Sequence, residues 1–200
     1  MSYEGTMQKI GILFGTMAFS ALMLVTIGIT IDMNFIFVGA GVGFVGGLIA
    51  YLILLFKRPE NPAGLMITYA IFEGLLIGGF SMIFESMYEG IVFQAALGTV
   101  CITGTMYGLY ATRIIKATPM LKKVIFTLTG GIMMLYLVSI ILYLLPSNFE
   151  VPFLHTSGPV GILLTVFILT VASFLLIINF DFIEKGIQHR TPKVGEWWGA

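Results

Sequence analysis

Two hundred residues would suit one soluble domain, yet 58% of them are hydrophobic, only 10% are charged, and the mean hydropathy is +1.02. Soluble domains carry about 25% charged residues, and no water-soluble fold of this size could hide so much apolar surface, so the solvent to consider is a bilayer. The formal net charge is zero and no face interleaves basic with aromatic residues, which disfavours nucleic-acid binding.

A helix needs roughly 20 apolar residues to cross about 30 Å of hydrocarbon. Six runs of that length predict an all-α integral membrane protein, a polytopic helical bundle forming one membrane domain over residues 1–200. The first run, Ile10 to Ile31, is too long for a signal-peptide core and lacks an A-x-A cleavage site, so it reads as a retained span. The second, Phe35 to Phe56, carries Gly39, Gly43 and Gly47. Gly11/Gly15, Gly74/Gly78 and Gly104/Gly108 repeat that four-residue spacing, which lets backbones approach closely where burial of apolar surface supplies no drive. Ordinary packing within the bundle explains them better than a dedicated dimer face.

The third run, Pro62 to Phe84, holds Glu73 near its midpoint, about 16 Å from either end by helical rise. An acid at that depth costs roughly 2.5 to 3.5 kcal/mol on insertion scales, so something must offset it. Either Glu73 lines an ion or proton pathway, or it is a buried acid bonded to Tyr69 or to another helix.

The fourth run, Ile91 to Thr112, contains the single cysteine, Cys101, which rules out an intramolecular disulfide and reads as a small core residue. The fifth is Val124 to Leu145. The loop after it, Pro146 to Gly158, carries Phe149, Phe153 and Leu154 and is expected to dip into the interface or fold back. The sixth run is Pro159 to Phe180. All seven prolines fall in connections or at span starts, so the helices should be largely unkinked. Trp197 and Trp198 suit an interfacial aromatic belt.

All ten Lys and Arg residues belong to one set of connections: Lys9, then Lys57 and Arg58, then Arg113, Lys116, Lys122 and Lys123, then Lys185, Arg190 and Lys193. The opposite connections carry only Asp32, Glu85, Glu89 and Glu150. The positive-inside rule therefore places both ends in the cytoplasm.

Asp181 and Glu184 lie three apart at the cytoplasmic end of the sixth span, on one helix face. The negative end of the helix disfavours the ionised carboxylate there, so the pair is a candidate pH sensor or hard-cation site. The bland alternative has them in the headgroup region, paired with Lys185 or Lys57. Arg58, at the same end of span two, is a candidate salt-bridge partner for Asp181. His155 and His189 stand apart from each other and from any Cys pair, no firm metal site or cofactor is predicted, and hydrolase and nucleotide-binding motifs are absent. Catalysis is not expected.

Asn61-Pro62, Tyr69-Ala70, Glu73-Gly74, Gly78, Ser81, Gly90-Ile91-Val92 and Gln94-Ala95 resemble the bacterial Bax inhibitor-1/YccA family. The likeness continues through His155-Thr156-Ser157-Gly158-Pro159 and Asn179-Phe180-Asp181-Phe182-Ile183-Glu184-Lys185-Gly186, the most specific stretch, and so covers nearly the whole chain. The resemblance implies seven helices around a central last one, and a pH-sensitive calcium leak in which the Asp181 position shares a proton with an acid of helix seven. Here the sequence reaches Glu196-Trp197-Trp198-Gly199-Ala200 where relatives enter that helix, so a chain truncated before it is expected. Arg58 resembles an arginine that pairs with the helix-six aspartate in some relatives.

These readings converge on a bacterial inner-membrane protein in contact with lipid, calcium or protons, with Asp181, Glu184 and Glu73 on the ion pathway and calcium a candidate at Asp181. The alternative is a regulatory membrane protein that binds a membrane protease or another membrane-protein partner.

Overall fold

The computed structural model describes the backbone of residues 1–144 and 158–200. Phe149, Phe153, Leu154, Glu150 and His155, with the loop behaviour expected of them, lie outside the described residues. The helices are α1 (Tyr3–Thr30), α2 (Asn34–Lys57), α3 (Ala63–Met87), α4 (Ile91–Ala111), α5 (Pro119–Leu144), α6 (Pro159–Gln188) and the short α7 (Gly195–Gly199). The first six are long and apolar enough to cross a membrane. Among the described residues the protein is all-helical, with helices of the membrane-spanning type.

The helix starts follow from short polar side chains that satisfy orphan backbone N–H groups. Ser2 Oγ accepts from Gly5 N at 3.1 Å ahead of α1, Asp32 Oδ1 from Asn34 N at 2.9 Å ahead of α2, and Thr118 Oγ1 from Leu121 N at 3.2 Å ahead of α5. Glu85, near the end of α3, reaches across the turn: its two carboxylate oxygens accept from Gly90 N at 2.7 Å and Val92 N at 3.0 Å. Gly90, at φ +80°, supplies the left-handed backbone that this tight reversal requires. Two of the acids in the basic-free connections thus act as helix caps. Pro119 and Pro159 open α5 and α6, where no helical N–H is needed.

Two helices extend beyond their apolar runs. α1 starts at Tyr3 and α6 continues to Gln188, so Lys9, Asp181, Glu184 and Lys185 stand on helix rather than in connections. Cys101 is exposed on α4, contrary to the core position expected of it. In hydrocarbon a side chain can be apolar and still face outward, so an apolar run alone does not separate lipid-facing from core positions.

Contacts divide the chain into residues 1–98 with 182–200, and residues 99–181. In the first unit α3 packs against both α1 and α2. Glycine makes that possible. A Cβ on Gly43 would come within 2.6 Å of Leu76 N and 2.7 Å of Phe72 O, and one on Gly78 within 2.7 Å of the Ala21 carbonyl oxygen. On Gly74 it would overlap Ser20 Oγ and the Met17 carbonyl. By contrast Gly11, Gly15, Gly104 and Gly108 have open space where a Cβ would go. In the second unit α5 and α6 meet along a seam with Ile125, Val171 and Ile178 at its centre and Leu121, Leu128, Ile132, Phe174 and Leu175 around them. The three- and four-residue steps along both helices are those of knobs packing into holes.

Gly74→Ala should separate α1 from α3 and destabilise the protein by about 1 to 3 kcal/mol, the usual cost of overpacking, whereas Gly104→Ala should be neutral or slightly stabilising. Thermal unfolding in detergent, followed by helical circular dichroism, distinguishes the two. Equal melting of both variants would show that the glycine contact is not limiting.

Candidate functional site

Asp181 is 9% exposed on α6, and Lys122 Nζ, on the second turn of α5, donates to its Oδ2 at 2.5 Å. Phe180, beside Asp181, meets Tyr107 edge-on at 5.7 Å between ring centroids and Tyr110 at 5.9 Å, and the Arg113 guanidinium stands 5.5 Å over the Tyr110 ring. The carboxylate is therefore buried with an ammonium bonded to it. So little solvent reaches the acid that removal of the ammonium would leave it costly.

Glu184, one turn further along α6, accepts from Gln188 Nε2 at 3.1 Å. Arg58 ends α2 in a left-handed conformation at φ 40° and is exposed. It belongs to the first unit and Asp181 to the second. Among the described residues no three His, Cys, Asp or Glu side chains converge as a metal site.

Glu73 lies ten residues into α3, about 15 Å of helical rise from its first residue. The Tyr69 hydroxyl, one turn earlier, interacts with it. On the α2 side the backbone of Gly47 comes so near that a Cβ there would be 3.7 Å from Glu73 Oε2. Among the described residues Glu73 forms no ion pair. It faces a cavity of about 390 Å³ that runs along α1 and α3 and reaches Trp197, Trp198 and Ala200 at the C-terminal segment. Tyr51 and Phe44 of α2 border a second hollow on its other side.

The C-terminal segment is held on α1 by a polar clasp. Glu196, 5% exposed, accepts from Lys9 Nζ at 2.5 Å, from Ser2 N at 3.0 Å and from Ser2 Oγ at 3.1 Å. The Lys9 ammonium also stands 5.5 Å over the Trp197 ring, and the terminal amine of Met1 donates to the Thr191 carbonyl oxygen. Hydrogen bonding from Lys9, and then from Ser2, holds the Glu196 carboxyl below the usual carboxylate range despite its burial.

Sequence reasoning singled out Glu73, Asp181 and Glu184 but missed both partners that matter most to the geometry. Lys122 was absorbed by the positive-inside pattern, and Glu196 sits 187 residues from Lys9 with no local spacing to announce the pair. The tryptophans expected in an interfacial belt border the Glu73 cavity. The only available signal was chemical: a carboxylate beside two tryptophans, in a chain with few acids to spare.

The whole chain, residues 1–200, matches the family model described as Bax inhibitor 1 like, and the chain belongs to that family. With its six apolar helices it is a multi-pass membrane protein. No curated protein and no solved structure matches it.

Trp197 and Trp198 are the only tryptophans in the chain, so intrinsic fluorescence reports on α7. Glu196→Ala should red-shift the emission and increase acrylamide quenching. Because the folded carboxyl is held low, its contribution to docking is complete above the ordinary glutamate value of about 4.3 and fades only as pH falls through the lowered one. Wild-type emission should therefore hold steady from neutral pH to about 4.3 and shift only below it; a transition near pH 6 would contradict the clasp.

Proposed function

From its family membership we propose that this protein is a cation leak, with calcium as the principal cargo, gated by protonation of Asp181. The observation that supports the reading most directly is the bonded Lys122–Asp181 pair at the end of α6. Addition of a proton to Asp181 removes the charge to which Lys122 is bonded and leaves a half-buried ammonium without its counter-ion. A pair of this kind has two discrete arrangements, and pH decides between them. Glu184, on the next turn, supplies a second oxygen ligand suited to a hard cation, and Glu73 supports the path through the bilayer core.

The same reading puts the chain in the inner (plasma) membrane of a bacterium with its N-terminus in the cytoplasm. The support is the placement of all ten basic residues at alternate connections.

Calcium flux from proteoliposomes across a pH series tests this directly. Asp181→Asn should flatten the pH profile. Lys122→Ala, which removes the cation that favours the ionised carboxylate, should move the profile toward higher pH and cost on the order of 1 to 3 kcal/mol of stability. An unchanged profile in Asp181→Asn would sink the proposal. Wild-type liposomes without flux, together with a stoichiometric membrane partner on co-purification, would favour the regulatory role instead.

A further inference from the structure

The connection between α4 and α5, residues 112–118, is basic and apolar at once. α4 has 21 residues, about 32 Å of helical rise, against a hydrocarbon layer of about 30 Å. Arg113, two residues past its end, therefore stands at the level of lipid headgroups, on the side to which all ten basic residues belong. Arg113 N donates to the Tyr110 carbonyl oxygen at 3.0 Å and Ile115 N to that of Leu109 at 3.2 Å, so the connection tucks under the end of α4. That fold leaves Ile114 71% exposed, and Met120, on the first turn of α5, is 77% exposed. Arg113, Lys116 and Lys123 are exposed with them. Lys122 is bonded to Asp181, whereas its neighbour Lys123 shares a face with Met120, three residues earlier.

The rule that puts positive charge on one side of the membrane explains the number of basic residues here. It does not explain why large apolar side chains face outward beside them, where water would penalise them. Nor does it explain the backbone of Arg113, held at φ 60°, a left-handed conformation that costs an L side chain what it does not cost glycine. The Arg113 guanidinium stands 5.5 Å over the ring of Tyr110, which is itself buried. A guanidinium steadied by its face carries its donors in its edge, the geometry that meets a phosphate bidentately.

An inorganic anion would suit the charges but leave Ile114 and Met120 in water, and a lipid without net charge would cover those two but leave the basic residues unbalanced. A phospholipid of net negative charge meets both demands. We propose that the α4–α5 connection is a binding site for an acidic phospholipid, with Arg113 clasping the phosphate group, Lys116 and Lys123 flanking the headgroup, and Ile114 and Met120 set among the acyl chains. The site does not depend on the leak, whose proposed gate is Asp181.

Native mass spectrometry of the purified full chain, titrated in detergent with phosphatidylglycerol or with phosphatidylcholine of the same acyl chains, counts bound lipid. Thermal unfolding of the same samples reads the stabilisation that binding confers. Phosphatidylglycerol should bind saturably and raise the melting temperature; phosphatidylcholine should do neither. Arg113→Gly relieves the backbone and should fold as well as the wild type, yet weaken phosphatidylglycerol binding about fivefold or more, the worth of one basic side chain at an anionic surface. Ile114→Ser should weaken it with no change of charge. Arg190→Gly is the matched control. Arg190 has the same left-handed backbone, at φ 51°, but follows the end of α6, about 12 Å of helix past the apolar run that ends at Phe180 and so beyond a headgroup layer about 5 to 8 Å thick. Its loss should leave binding unchanged, as should Asp181→Asn, so lipid site and leak can fail separately. Equal weakening by Arg113→Gly and Arg190→Gly would reduce the effect to general charge attraction and overturn the proposal. Equal affinity for the two lipids, unchanged binding in Ile114→Ser, or displacement of the lipid by inorganic phosphate would overturn it too. Should Arg113→Gly not fold, Ile114→Ser and the comparison of the two lipids decide.

Discussion

Leucine gains nothing by leaving lipid for another leucine, so helices in a bilayer must find another reason to stay together. In the first unit that reason is contact between backbones. α3 brings Gly74 and Gly78 against the carbonyl groups of α1, and Gly43 of α2 admits the backbone of α3 around Phe72 and Leu76. At such separations the dispersion contacts of bare peptide groups replace those of side chains. The large apolar residues are then free to face outward, as Phe19, Leu22 and Phe93 do. The position of Glu73 follows from the same contact, because the approach of α2 through Gly47 sets the space around its carboxyl.

Polar groups obey a complementary rule: each needs a partner, and the partners fall into two kinds. Asp32 and Glu85 serve backbone N–H groups at helix starts, and Glu85 thereby ties α3 to α4. Asp181 and Glu196 serve lysines. The first kind fixes connections and has little reason to change. The second joins residues far apart in sequence and responds to the protonation of a single group, which makes these acids candidates for control.

How much of this was legible in the sequence depended on the range of the interaction. The six long helices were legible because length and hydropathy are local properties, and their identity as spans needed no knowledge of neighbours. The glycine spacing was half informative: Gly39, Gly43, Gly74 and Gly78 meet other helices, whereas Gly104 and Gly108 show the same spacing with nothing against them. Spacing says which residues share a face; it does not say whether that face has a partner. Glu73 was legible because its cost is intrinsic to its depth. Lys122 and Glu196 were not, since a charge near a membrane end already has an explanation in topology, and a pairing across 59 or 187 residues leaves no trace in either local pattern.

The clasp between Glu196, Lys9 and Ser2 also imposes an order in time. The first unit is assembled from two stretches far apart in sequence, residues 1–98 and 182–200. During synthesis α1, α2 and α3 emerge first and can pack through their glycines at once, but the wall formed by Trp197 and Trp198 cannot close until α6 has followed. Until then the Glu73 chamber stands without that wall, and α1 waits with Lys9 and Ser2 unclasped. Completion of this unit is a closure between distant segments, the slowest kind of contact to form, and it makes the clasp a checkpoint on whether the intervening helices have been inserted in register.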